Sequence, residues 1–159
     1  MKHPFKSISV YFDRDYNLIG VPSAELKKWN VIVDIDKIQS LNAPYDDDEL
    51  ERFLKAVFDL CNSDKPKDFS KIPALQKYLG AKSYSASVKK LGLVSLNWLN
   101  KRGYEIVPTW QNAKIKNAFN HLEEKTIKIA TDYTDGELAK SFRIALELSP
   151  IGPMKNKPD

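Results

Sequence analysis

His3, His121 and Cys61 are the only imidazole and thiol groups in the 159 residues. A metal site or a nucleophile–base pair needs several such groups at fixed spacing. His121 has Glu123 and Glu124 close by in sequence, but no second His or Cys at ligand spacing. An enzyme built on His121 with Glu123 or Glu124 is therefore the weakest functional reading. Six glycines are scattered along the chain, and none falls in a phosphate-cradling spacing or a nucleophile elbow. Asp46, Asp47, Asp48 and Glu49 form a carboxylate run that lacks the spacing of a calcium loop. Capping a helix, or forming an acidic contact surface, suits that run better. The chain reads as a non-enzyme that needs no cofactor and no metal.

The elements that would position these groups follow from periodicity. Ile8, Val10 and Phe12 alternate with Ser7, Ser9 and Tyr11; Asp15-Tyr16-Asn17 then turns the chain; Leu18 to Val21 runs back to an expected stop at Pro22. This is a hairpin signature. Val31, Val33 and Ile35 alternate in a third strand. Asp46 to Asp48 offer N-caps for a helix whose stripe is Leu50, Phe53, Leu54, Val57, Phe58 and Cys61. Cys61 is thus expected to be a buried core thiol. "IPALQKYLG" reads as a short helix closed by Gly80, and "SYSASVKKLG" as another ending at Gly92. "LVSLNWLNKRGYEIVPTWQ" predicts a second hairpin turning at Gly103, and "EKTIKIATD" a further strand. "YTDGELAKSFRIALELS" is a second amphipathic helix with Leu138, Phe142, Ala145 and Leu146 inward. The fold class is α+β: a mainly antiparallel sheet, two main amphipathic helices and some short ones.

At an offset of 88 residues the two main helices match. Tyr45, Asp47, Glu49 and Leu50 meet Tyr133, Asp135, Glu137 and Leu138, while Arg52 meets Lys140 and Lys55 meets Arg143. A structural repeat and the shared grammar of capped helices both explain this.

Length and composition fit one domain over residues 1–150, with a flexible polar tail over 151–159. A lone cysteine permits no internal disulfide, and no apolar run suits a signal peptide or a membrane span. The expected location is the cytoplasm. The net charge of +4 hides an asymmetry. From Asp34 to Asp64 nine acids oppose three bases, and from Lys65 to Lys128 thirteen bases oppose four acids. The basic middle also holds Tyr84, Trp98, Tyr104 and Trp110, so a single-stranded nucleic-acid-binding module is the alternative reading.

The run "KSISVYFDRDYNLIGVPS", Lys6 to Ser23, and the close Glu137 to Ser149, preceded by Tyr133 and Asp135, resemble the immunity proteins of contact-dependent growth inhibition systems. That family was formerly described as a domain of unknown function. The resemblance implies a cytoplasmic, non-enzymatic protein without cofactor. Such a protein binds the C-terminal toxin domain delivered by sibling cells as a heterodimer and blocks its active site. Toxins paired with the family include ribonucleases, which are basic because their substrate is a polyanion. An inhibitor of one needs an acidic patch with rigid aromatic anchors. Two corners offer it: Tyr45, Asp46, Asp47, Asp48 and Glu49, and Asp132, Tyr133, Asp135 and Glu137. The positive net charge departs from that logic. Either the interface is locally acidic, or the basic middle meets an acidic toxin surface. The unmatched segment Lys65 to Asn120 would then carry specificity.

Overall fold

The computed structural model describes residues 6–115 and 119–159. His3 and Lys116 lie outside the described residues. Among the described residues nine strands form one curled, almost wholly antiparallel sheet. The first hairpin is β1 (Lys6–Phe12) and β2 (Leu18–Leu26), followed by β3 (Val31–Asp34) and β4 (Gln39–Leu41). The second is β5 (Gly92–Trp98) and β6 (Tyr104–Asn112), followed by β7 (Phe119–His121), β8 (Ile127–Ile129) and β9 (Pro153–Met154). The strand path is β3-β2-β1-β5-β6-β7; β4 also pairs with β2, and β8 and β9 with β6. Among the described strands only β9 runs parallel to its partner.

Four helices flank the sheet: α1 (Asp47–Asp59), α2 (Ala74–Leu79), α3 (Tyr84–Val88) and α4 (Glu137–Leu148). Alternation along β1 assigns the layers. Ile8, Val10 and Phe12 join Val94, Leu96 and Ile106 under the apolar stripes of α1 and α4. Tyr11, Val21 and Leu93 point the other way, towards Ala74 and Leu75 of α2 and Val88 of α3. The anticipated stripes Leu50, Phe53, Leu54, Val57, Phe58 and Leu138, Phe142, Ala145, Leu146 are all buried, as is Cys61.

The structure corrects the sequence reading in three places. Strand β2 does not stop at Pro22 but continues to Leu26. The Pro22 carbonyl accepts the Ile35 N–H at 3.0 Å, on the side away from β1. A strand residue points its N–H and C=O the same way, so the donor that proline lacks is missing only on that side. There it falls between two partners, β4, which pairs up to Gly20, and β3, which pairs from Ser23. Gly92 does not end a helix; α3 ends at Val88 and Gly92 opens β5. A Cβ at Gly92 would lie 2.3 Å from the tip of the Phe12 ring, so only glycine leaves that ring its place. Finally, β4 was not anticipated, since three residues carry too little alternation to register. Nearer the end of the chain, Pro153–Met154 form β9, and Lys157 Nζ lies 3.0 Å from Glu124 Oε1.

Candidate functional site

The start of α1 is a complete capping box. Asp46 Oδ1 accepts the Glu49 N–H at 2.8 Å, and Glu49 Oε1 accepts the Asp46 N–H at 3.4 Å. Asp46, Asp48 and Glu49 remain exposed at the positive end of the helix. Tyr45 is only 8% exposed. Its hydroxyl donates to the Tyr16 carbonyl at 2.9 Å, and burial pushes its pKa up while Arg143 opposes the rise.

The start of α4 is built differently. Gly136, with φ +88°, is its N-cap and has no side chain to offer. Glu51, 7% exposed, reaches over from α1, and its Oε2 accepts the Gly136 N–H at 2.7 Å. Glu137 Oε2 accepts the Thr134 N–H at 3.2 Å. Asp132 and Asp135 are exposed, and Tyr133 is half-buried.

These contacts lock α1 and α4 side by side in opposite directions. Arg143 Nε donates to Asp47 Oδ1 at 2.8 Å, its Nη2 donates to the Tyr45 carbonyl at 2.9 Å, and its guanidinium covers the Tyr45 ring at 5.1 Å. Lys55 Nζ lies 5.3 Å from the centre of the Tyr133 ring, and its pKa is raised chiefly by a hydrogen bond with Tyr133. The two cation–aromatic pairs are related by the 88-residue offset: Tyr45 corresponds to Tyr133, and Lys55 to Arg143. Each helix therefore reaches across to hold the aromatic residue that precedes the other.

The packing brings the two acidic corners onto one surface. Asp48 of the first and Asp135 of the second line a common cleft with Glu51, Arg52 and Lys55, about 270 Å³ in volume. Within the corners, Asp46, Asp48, Glu49, Asp132, Asp135 and Glu137 face solvent, whereas Tyr45, Asp47 and Tyr133 hold the helix pair together. Sequence reasoning missed Glu51 and Arg143, the residues that make the pair rigid. Glu51, following Leu50 along the apolar stripe, was a faint sign of an inward carboxylate.

Other groups offer little chemistry. His121 Nδ1 lies 3.4 Å from Glu123 Oε1, and both side chains are exposed. Cys61 is buried, and desolvation raises its pKa. Among the described residues no three His, Cys, Asp or Glu side chains converge on a metal position. Of the aromatics in the basic middle, Tyr84, Tyr104 and Trp110 are packed, whereas Phe69 and Tyr78 are 55% and 49% exposed. Trp110 is 7% exposed, the Tyr84 and Tyr11 hydroxyls share a hydrogen bond at 2.7 Å, and Tyr104 sits between Phe58 and Tyr133. Lys6 Nζ covers Trp98 at 5.4 Å from the ring centre. Among the described helices none is long and apolar enough to cross a membrane.

No family model matches the chain, and no curated protein matches its sequence. Solved structures share its fold, two of them as follows. A protein of unknown function from Neisseria meningitidis superposes with a TM-score of 0.67 at 14% identity, over 92% of this chain and 96% of the other. A chain of a CdiA-CT/CdiI toxin and immunity complex from Yersinia pseudotuberculosis superposes with a TM-score of 0.62 at 13% identity, over 89% of this chain and 95% of the other.

Proposed function

We propose that this chain is an immunity protein that binds and neutralises one cognate contact-dependent growth inhibition toxin, an RNase, by occluding its active site. The observation that carries this reading is the meeting of two acidic corners, 88 residues apart, on one face of a locked helix pair. The fold shared with a chain of a toxin and immunity complex supports it, as does the likeness of Lys6 to Ser23 to the family's opening hairpin.

The mechanism is binding, not catalysis. An RNase active site is cationic because it holds a polyanion. Asp48 and Asp135, flanked by Asp46, Glu49, Asp132 and Glu137, offer carboxylates to those cations. Complementary charge speeds encounter and fixes register. Rigidity adds affinity, because a surface already ordered loses less entropy on binding. Arg143, Lys55 and Glu51 supply that order by tying the start of each helix to the body of the other. The protein acts in the cytoplasm of the producing cell, where the delivered toxin domain arrives. Segment Lys65 to Asn120 then tunes which toxin is accepted.

The test is a titration against the toxin domain encoded immediately upstream, with its RNase activity measured in parallel. Nanomolar binding with loss of activity is expected; a folded preparation that does not bind overturns the reading. Charge reversal at Asp48 and Asp135 together should weaken binding by about 2–5 kcal/mol without unfolding the protein, since among the described residues neither caps a helix or carries an ion pair. Reversal at Asp46 or Asp47 tests less cleanly, because it also removes the α1 cap or the Arg143 partner.

A further inference from the structure

A second cavity, about 270 Å³, opens between the β1–β2 turn, the approach to α1 and the later turns of α4. Its apolar wall is made by Tyr16, Pro44, Tyr45 and Leu146, and Asp15 and Glu147 complete it. Arg143 also lines it, but its guanidinium is already held by Asp47 and the Tyr45 carbonyl. Asp15 and Glu147 are exposed, and neither forms an ion pair among the described residues.

Tyr16 is the unusual member. Its φ is +63°, a left-handed conformation that suits Gly or Asn and disfavours a bulky aromatic residue. Yet its ring is 44% exposed, stacked over Phe12 at 6.2 Å and 11°. Fold stability alone would favour a smaller residue at this turn. Strain kept at an exposed aromatic points to a use for the ring.

We propose that this cavity is an anchor socket for one Lys or Arg side chain of the toxin domain; the inference rests on the immunity reading. Aromatic faces attract a cation, the aliphatic stem of Lys or Arg covers Pro44 and Leu146, and two unpaired carboxylates receive the head. The surroundings carry the matching sign: Asp13, Asp15, Asp46, Asp47 and Glu147 outnumber Arg14 and Arg143. Such a socket would act as an interface anchor, a pocket filled by one partner residue.

The experiment compares wild type with Tyr16→Asn, Tyr16→Phe and Glu147→Lys against the upstream-encoded toxin domain, by calorimetric titration and thermal melts. Tyr16→Asn should melt at or above the wild-type temperature, because Asn tolerates the left-handed turn, while its Kd rises at least about ten-fold. Tyr16→Phe should bind within two-fold of wild type. Glu147→Lys, on an exposed helix position away from the turn, should also raise Kd at least about ten-fold with an unchanged melt. If wild type binds and both Tyr16→Asn and Glu147→Lys bind within two-fold of it, the socket is refuted and the immunity reading stands. If wild type itself does not bind, the immunity reading fails and the socket falls with it.

Discussion

Gly103 shows how much one position can decide. Its φ is +88°, and a Cβ there would lie 1.9 Å from the Ile129 carbonyl oxygen. The β5–β6 turn therefore passes directly against β8. Gly103→Ala should destabilise the fold by more than about 3 kcal/mol, read as a fall in the urea midpoint. Asp34 gives a second residue-scale prediction. It lines a cavity with Asp36, Asp64, Lys65 and Asp68; desolvation by the surrounding chain pushes its pKa up from 3.8 to about 6, although the residue keeps an exposed edge that water screens. The folded state then holds the Asp34 proton more tightly than the unfolded chain does. Its contribution to stability is best below the unfolded pKa near 4 and is lost as pH rises towards 6. Asp34→Asn removes this loss. The melting temperature of that variant, relative to wild type, should climb between pH 4 and pH 7; a constant difference would contradict the assignment.

At the scale of elements, the pairing of α1 with α4 depends on a few polar contacts laid over apolar stripes. Arg143→Ala removes an ion pair, a hydrogen bond to a carbonyl and a cation–aromatic contact. The pair is partly solvent-screened, so the expected cost is about 1–2 kcal/mol. Asp46→Ala removes the α1 cap and should cost about 1 kcal/mol in chemical denaturation. Most of this level was legible in the sequence. The helix periods, the capping run Asp46 to Glu49, the Gly80 stop and both hairpin turns are local patterns, each set by residues a few positions apart. Pro22 and Gly92 misled because their local meaning, a breaker, was overridden by neighbours far along the chain: β3 and β4 for Pro22, the Phe12 ring for Gly92.

For the whole molecule, the question is where charge and aromatic surface end up. The basic middle is rich in Lys and aromatic residues by composition, yet Tyr84, Tyr104 and Trp110 are engaged in packing. Its exposed aromatics, Phe69 and Tyr78, stand on a loop and on α2 rather than along a strand, which leaves single-stranded RNA chiefly phosphate attraction to use. Binding to a single-stranded RNA at physiological salt should therefore be weak in a filter or anisotropy assay. Tight binding that falls steeply with salt would favour the nucleic-acid reading instead.

The sequence by itself determined the α+β class, the inward stripes of α1 and α4, the buried thiol of Cys61 and the poverty of catalytic groups, because periodicity and residue inventory need no knowledge of distant contacts. It could also flag the acidic corners, but not divide them. A carboxylate at a helix start caps, pairs or faces a partner equally well as far as spacing shows. Only the tertiary structure gave Asp46 to the cap, Asp47 to Arg143 and Glu51 to Gly136, and left Asp48 beside Asp135. The 88-residue match became a physical relation only when the antiparallel packing of α1 on α4 set each cation against the other's tyrosine. Such roles depend on contacts between remote segments, and those are fixed by packing of the whole core rather than by any local run of residues.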